Sequence, residues 1–246
     1  MIARWAVLLW LLGTGAAAAQ GGATAPGTCP FPDSLVADPV ALTVVQQAVA
    51  GRHRLVVMTM GGAPMTGGGV ADATQTYPAR MQAHLQRLLP GVEVVLANRA
   101  VPGRSAKSMA RRIGEQVATI HPDLVVWASG GHEAMRNTDP AAYAAVLEAG
   151  IAAARAAGAD VMLVDSQFAP GFAGLPNIDT YRAVIRTVGE LEKVPVFPRY
   201  DLMRAWHEDG VLDLQAADRA RQAAVARQLF DCIGDGLARL VLAGSH

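Results

Sequence analysis

The chain is short of lysine, cysteine, unbalanced charge and long apolar runs, and each shortage narrows the field. Lysine occurs only at Lys107 and Lys193, although Lys and Arg together number 21 against 21 Asp and Glu. Balanced charge with 52% apolar residues argues against a nucleic-acid-binding or disordered chain and supports a sizeable buried core. The lysine shortage, beside abundant arginine, alanine and glycine, reads as the bias of a GC-rich bacterial genome rather than as chemistry. Nothing after residue 19 is apolar for long enough to span a bilayer. No His/Cys spacing suggests zinc, so no metal is expected. No Gly-Lys-Ser/Thr and no G-x-G-x-x-G opens a helix, so no cofactor is expected either. The run Gly67-Gly68-Gly69 therefore reads as a surface loop.

Only Cys29 and Cys232 are present, one near each end. In an oxidising compartment such a pair predicts a disulfide, closing a loop worth about 5 kcal/mol of chain entropy. The alternative is two independent buried thiols. Residues 1–19 have the form of a secretory signal: Arg4, an apolar stretch from Ala6 to Leu12, and Ala17-Ala18-Ala19 before Gln20. A retained N-terminal anchor is the alternative. Without Arg4 the mature chain carries 20 basic against 21 acidic residues, a net charge of −1. The expectation is a secreted protein, periplasmic in a Gram-negative cell.

Residues 20–37, rich in Gly, Ala, Thr and Pro, predict an extended arm reaching Cys29. Asp38 to Ala50 has helical periodicity. Five apolar runs follow: Leu55–Met60, Val92–Ala97, Leu124–Ser129, Val161–Val164 and Val194–Phe197. Between them lie helical patterns at Tyr77–Leu89, Ser105–Ile120, Ala141–Ala157 and Ile178–Glu192, and Leu214 to Leu242 predicts one long or two consecutive helices. Alternating helices and doubly apolar strands predict an α/β domain over residues 38–246. It would be a flavodoxin-like, three-layer α/β/α fold with a five-stranded parallel sheet in the order 2-1-3-4-5.

In such a fold the turns after the strands ring one crevice at the carboxyl edge of the sheet. The first is the glycine-rich turn Gly61-Gly62-Ala63-Pro64-Met65, which offers neither a nucleophile nor a phosphate-binding lysine. The second is Asn98-Arg99-Ala100-Val101-Pro102-Gly103-Arg104-Ser105, the third Gly130-Gly131-His132-Glu133, and the fourth Asp165-Ser166-Gln167.

These segments together resemble the SGNH (GDSL-type) hydrolases, a family of esterases, lipases, acyl-transferring and carbohydrate-deacetylating enzymes. The family places Gly-x-Ser after the first strand, Asn-x-x-x-x-Gly after the second, Gly-x-Asn after the third, and Asp-x-x-His near the C-terminus. Serine is the nucleophile, histidine its base and aspartate the orienting partner. The serine amide, the second-block glycine and the third-block asparagine form the oxyanion hole.

Carried over position by position, the resemblance puts Ala63 in the nucleophile's place and leaves Gly103 in the oxyanion hole. His132 stands where the family has asparagine. No histidine has aspartate three residues before it: the preceding residues are Ala50, Met81, Ala118, Ser129, Arg204 and Ala243. The resemblance thus implies a protein whose serine-esterase groups are substituted, binding a small acylated or glycan ligand or an envelope protein. The alternative is an active ester hydrolase with a rearranged site.

Gly61, Gly62, Ser105, Ser129, Gly130, Asp165 and Ser166 are the remaining candidate crevice residues. Each has a structural reading beside the functional one. Ser105 suits a helix cap, Ser129 and Ser166 suit strand-end hydrogen bonds, and His132 suits a loop histidine. Arg99, Arg104 and Arg136 would make the rim positive.

Overall fold

The computed structural model describes residues 29–68, 70, 72–170 and 177–246; the expected secretory signal and Gly69 lie outside them. Two short helices open the described chain, α1 (Ser34–Ala37) and α2 (Thr43–Gln47), and a π turn at Ala48–Arg52 leads into β1 (Arg54–Met60). The elements then alternate: α3 (Tyr77–Leu88), β2 (Glu93–Asn98), α4 (Ala106–Ile120), β3 (Leu124–Ala128), α5 (Gly131–Met135), α6 (Pro140–Ala156) and β4 (Asp160–Val164). α7 (Ile178–Glu192), β5 (Val196–Phe197), α8 (Arg199–Glu208) and α9 (Arg219–Gly244) complete the chain. All strand pairs are parallel, in the order β2-β1-β3-β4-β5. The expected α/β class, strand number and strand order are those observed.

The sheet is apolar on both faces because each face is covered by helices. Leu55, Val57, Leu124, Val126 and Met162 point into one core with α3 and α9. Met58, Met60, Val125, Trp127 and Leu163 point into the other with α4, α6 and α7. Alternate residues along each strand feed opposite cores, as the two-residue strand period requires. The Cys29–Cys232 disulfide ties the start of the described chain to α9, across 203 residues of sequence. Among the described residues no helix is long and apolar enough to cross a membrane.

Several boundaries differ from expectation for local reasons. Of the expected extended arm, residues 20–28 lie outside the described residues, and the remainder contains a helical turn at Ser34–Ala37. The helix expected from Asp38 begins only at Thr43, because a residue before proline, here Asp38 before Pro39, is pushed out of helical backbone. The Asp160 carboxylate accepts the Val44 and Val45 N–H groups at 2.8 and 3.0 Å, which sets that start. β5 is shorter than its apolar run because Pro195 has no N–H to donate; its carbonyl still accepts Leu163 N–H at 2.9 Å. The C-terminal segment is one helix beginning at Arg219 rather than Leu214. Asp218 caps it, accepting Arg221 N–H at 2.8 Å.

Candidate functional site

β1 runs into a tight turn with little room for a side chain at Gly61. A Cβ there would lie 2.6 Å from Met65 Sδ and 3.2 Å from Ala128 Cβ. The chain then makes a 3₁₀ turn, Ala63–Met65, in which Met65 is fully buried. Asn98 at the end of β2 stitches this turn to its neighbours. Its Nδ2 donates to Met65 O at 2.8 Å, and its Oδ1 accepts Thr59 Oγ1 and Ala100 N–H, each at 3.0 Å. Val101 N–H donates to Gly61 O at 2.9 Å, so the loop carrying Gly103 is held against the turn carrying Ala63. Ser105 is committed elsewhere: its Oγ accepts Ser108 N–H at 3.2 Å and caps α4.

The turn after β3 is organised by Glu133, a carboxylate only 3% exposed. It accepts Ala106 N–H at 2.7 Å and Gly130 N–H at 3.0 Å, joining the starts of α4 and α5. His132 Nδ1 lies 3.7 Å from Glu133 Oε1, is buried, and has no hydrogen-bond partner among the described residues. Ser129 Oγ pairs with the Tyr143 hydroxyl at 2.7 Å, and burial holds that phenol well above its ordinary pKa.

At the ends of β4 and β5 a buried ion network lies beside the crevice. Asp165 accepts Tyr200 N–H at 2.9 Å and faces Arg182 Nε at 3.5 Å. Burial raises its pKa to about 6, against the opposing pull of the Tyr200 N–H, Arg199 and Arg182. Arg182 also binds Asp179 and Asp201, and its guanidinium lies over the Tyr200 ring at 3.9 Å. Ser166 Oγ, by contrast, is buried without a partner.

These turns enclose a cavity of about 340 Å³ at the carboxyl edge of the sheet. Of the expected residues it brings together Gly62, Ala63, Gly103, Ser129, His132 and Ser166. Gly61, Ser105, Gly130 and Asp165 do not line it: Gly61 and Gly130 pack behind the wall, Ser105 caps a helix, and Asp165 belongs to the ion network. Arg104 lines the cavity, whereas Arg99 lines a separate small hollow and Arg136 lines neither. Among the described residues no group of three His, Cys, Asp or Glu side chains could hold a metal ion.

Arg199 and Tyr200, which line the cavity at the start of α8, were not among the expected site residues, and Tyr77 was expected only as the start of a helix. A charged residue straight after the last apolar strand was the available signal. Arg199 is 6% exposed and Tyr77 fully buried, with the guanidinium carbon 5.9 Å from the phenol ring centre. Burial pushes the Tyr77 hydroxyl up to about 12, Arg199 pulling the other way.

A model of the non-GDSL lipase-like family matches residues 28–246, the whole of the sheet and its helices. The chain belongs to that family. This non-GDSL lipase-like protein is 28% identical over 159 residues to esterase TesA of Pseudomonas aeruginosa, covering 65% of this chain and 76% of the relative. A crystal structure of TesA superposes with a TM-score of 0.55 at 23% identity, covering 70% of this chain and 94% of that one. An acetylxylan esterase from Geobacillus stearothermophilus gives 0.54 at 18% identity, covering 73% and 94%. The psychrotrophic esterase EstA from Pseudoalteromonas sp. gives 0.54 at 14%, covering 72% and 96%. These likenesses establish the SGNH hydrolase fold, in agreement with the sequence blocks.

Proposed function

We propose that this non-GDSL lipase-like protein is an exported, non-catalytic member of the esterase lineage. In this reading its crevice binds an acylated or glycan ligand, or an envelope protein. The observation that carries the reading is Ala63: the crevice-facing residue after β1 ends in a methyl group, which cannot accept an acyl group. The surrounding hydrogen bonds support it. Ser105 and Ser129 are engaged by Ser108 N–H and Tyr143. His84 pairs with Asp231 and His207 faces Leu212 O, while His53 and His121 end helices in left-handed backbone. No histidine hydrogen-bonds a serine among the described residues, and a general base acts only within about 3 Å or through one water. The leader-like residues 1–19 and the Cys29–Cys232 bond support export to an oxidising compartment such as the periplasm.

One observation favours a second reading, an ester hydrolase with a rearranged site. Ser166 Oγ and His132 Nδ1 are both buried, unpartnered and on the lining of one cavity. A single pair of assays separates the two. Purified protein is given p-nitrophenyl esters from acetate to dodecanoate and is labelled with a serine-directed fluorophosphonate. The non-catalytic reading expects no turnover above buffer and no adduct, and Ala63→Ser is expected to remain silent for want of a base. Turnover abolished by Ser166→Ala and His132→Ala, with an adduct on Ser166, would overturn it.

A further inference from the structure

Seven buried side-chain polar atoms lack a hydrogen-bond partner among the described residues. Four of them, Tyr77 Oη, His132 Nδ1, Ser166 Oγ and Arg199 Nε, belong to residues lining the one 340 Å³ cavity. Buried polar groups are nearly always paired, and an unpaired buried charge is the costliest exception. Four exceptions around a single cavity point to partners supplied from outside the described residues.

The charges around that cavity decide what kind of partner. Arg199 and Arg104 both line it, and neither forms an ion pair among the described residues; Arg104 has only a 3.2 Å contact to Ser108 Oγ. Glu133 is the acidic residue on the lining, and its two oxygens are occupied by the Ala106 and Gly130 N–H groups. Asp165 lies outside the lining, and both Arg199 and Arg182 favour its charged form. Counted on the lining alone, two arginines against one glutamate leave one positive charge, which suits a monoanion. The other walls include Pro64, Met109, Met135 and Ile178, with Met135 62% exposed at the mouth.

We infer that the crevice is a binding site for a small carboxylate carrying an apolar body, with the Arg199 guanidinium as its anion anchor. The planar Nε–Nη edge of arginine matches the two oxygens of a carboxylate. Tyr77 and Ser166 add hydroxyl donors, and Tyr77 remains protonated at neutral pH because burial holds it at about 12. The apolar body lies against the methionine and isoleucine walls. A volume of about 340 Å³ limits the ligand to a small molecule. This assignment rests on the crevice being a binding site, as proposed above, and adds the class of ligand.

The test is calorimetric titration of the disulfide-bonded protein with octanoate, octanamide and inorganic phosphate. Octanoate is expected to bind saturably, octanamide at least about tenfold more weakly, as loss of a charge-assisted pair predicts, and phosphate without saturation. Arg199→Met should bring octanoate down to the octanamide level in a protein that still unfolds cooperatively. Arg199→Lys should fall between. Tyr77→Phe, which deletes a hydroxyl donor at the lining, should weaken octanoate about threefold or more. Equal binding of octanoate and octanamide would overturn the assignment, as would octanoate affinity unchanged in Arg199→Met, or saturable phosphate binding tighter than octanoate. Ester turnover is read separately, so loss of carboxylate binding with no hydrolysis defeats this inference alone. Hydrolysis defeats the non-catalytic reading alone.

Discussion

Replacing Gly130 by alanine tests whether the wall of the crevice is as tightly built as its geometry implies. Gly130 sits at φ 101° and ψ −38°, in backbone that side chains avoid. A Cβ there would lie 2.9 Å from Ser166 Oγ, 3.1 Å from Ile185 Cδ1 and 3.4 Å from the Tyr143 hydroxyl. Backbone strain contributes about 1–3 kcal/mol. Crowding of a packed wall adds about 1–3 kcal/mol more. Gly158 supplies an internal control: its φ is 92°, yet no atom lies within 4 Å of the added Cβ. Gly158→Ala should therefore show the strain without the crowding. Urea unfolding followed by far-UV circular dichroism, with the disulfide intact, reads both variants. The expected result is a lower midpoint for Gly130→Ala than for Gly158→Ala at unchanged m, by about 1–3 kcal/mol. A Gly130→Ala protein no less stable than Gly158→Ala would refute the packing argument.

Asp165 predicts a pH effect of definite sign. Its folded pKa of about 6 exceeds the ordinary 3.8, so its contribution to stability is fully present below about pH 4 and is lost as pH rises to about 6. The difference is worth about 3 kcal/mol, and Asp165→Asn should remove that component from a stability–pH curve. A variant curve parallel to wild type between pH 4 and 7 would refute it. Replacing Cys29 and Cys232 together by serine should cost up to about 5 kcal/mol in the chain-entropy account, measured as a shift of the urea midpoint. A shift below about 1 kcal/mol would show that the arm is held by packing instead.

Much of the fold was legible because the signals are local and periodic. Doubly apolar runs such as Leu124–Ala128 announce a parallel sheet, and Ile178–Glu192 ends as a helix where its pattern ends. The boundaries that differed depend on groups far away in sequence: the start of α2 is set by Asp160, more than a hundred residues on. The site was half legible for the same reason. The turns carrying Ala63, Gly103 and His132 could be placed at one edge from strand order alone. Glu133 sits beside His132, and Asp165 and Ser166 sit in the turn after β4, yet their hydrogen bonding was not readable, because each depends on what packs against it.

The residue order by itself determined the α/β class, the strand order, the pairing of two lone cysteines as the expectation, and the alanine after the first strand. Only the tertiary structure decided that Ser129 is tied to Tyr143 and that Asp165 belongs to an ion network beside the crevice. It alone brought Arg199 and Tyr77, 122 residues apart in the numbering, side by side on the lining of one pocket. Periodicity is a property of neighbours along the chain, whereas desolvation and hydrogen-bond satisfaction are properties of whatever the fold carries into contact.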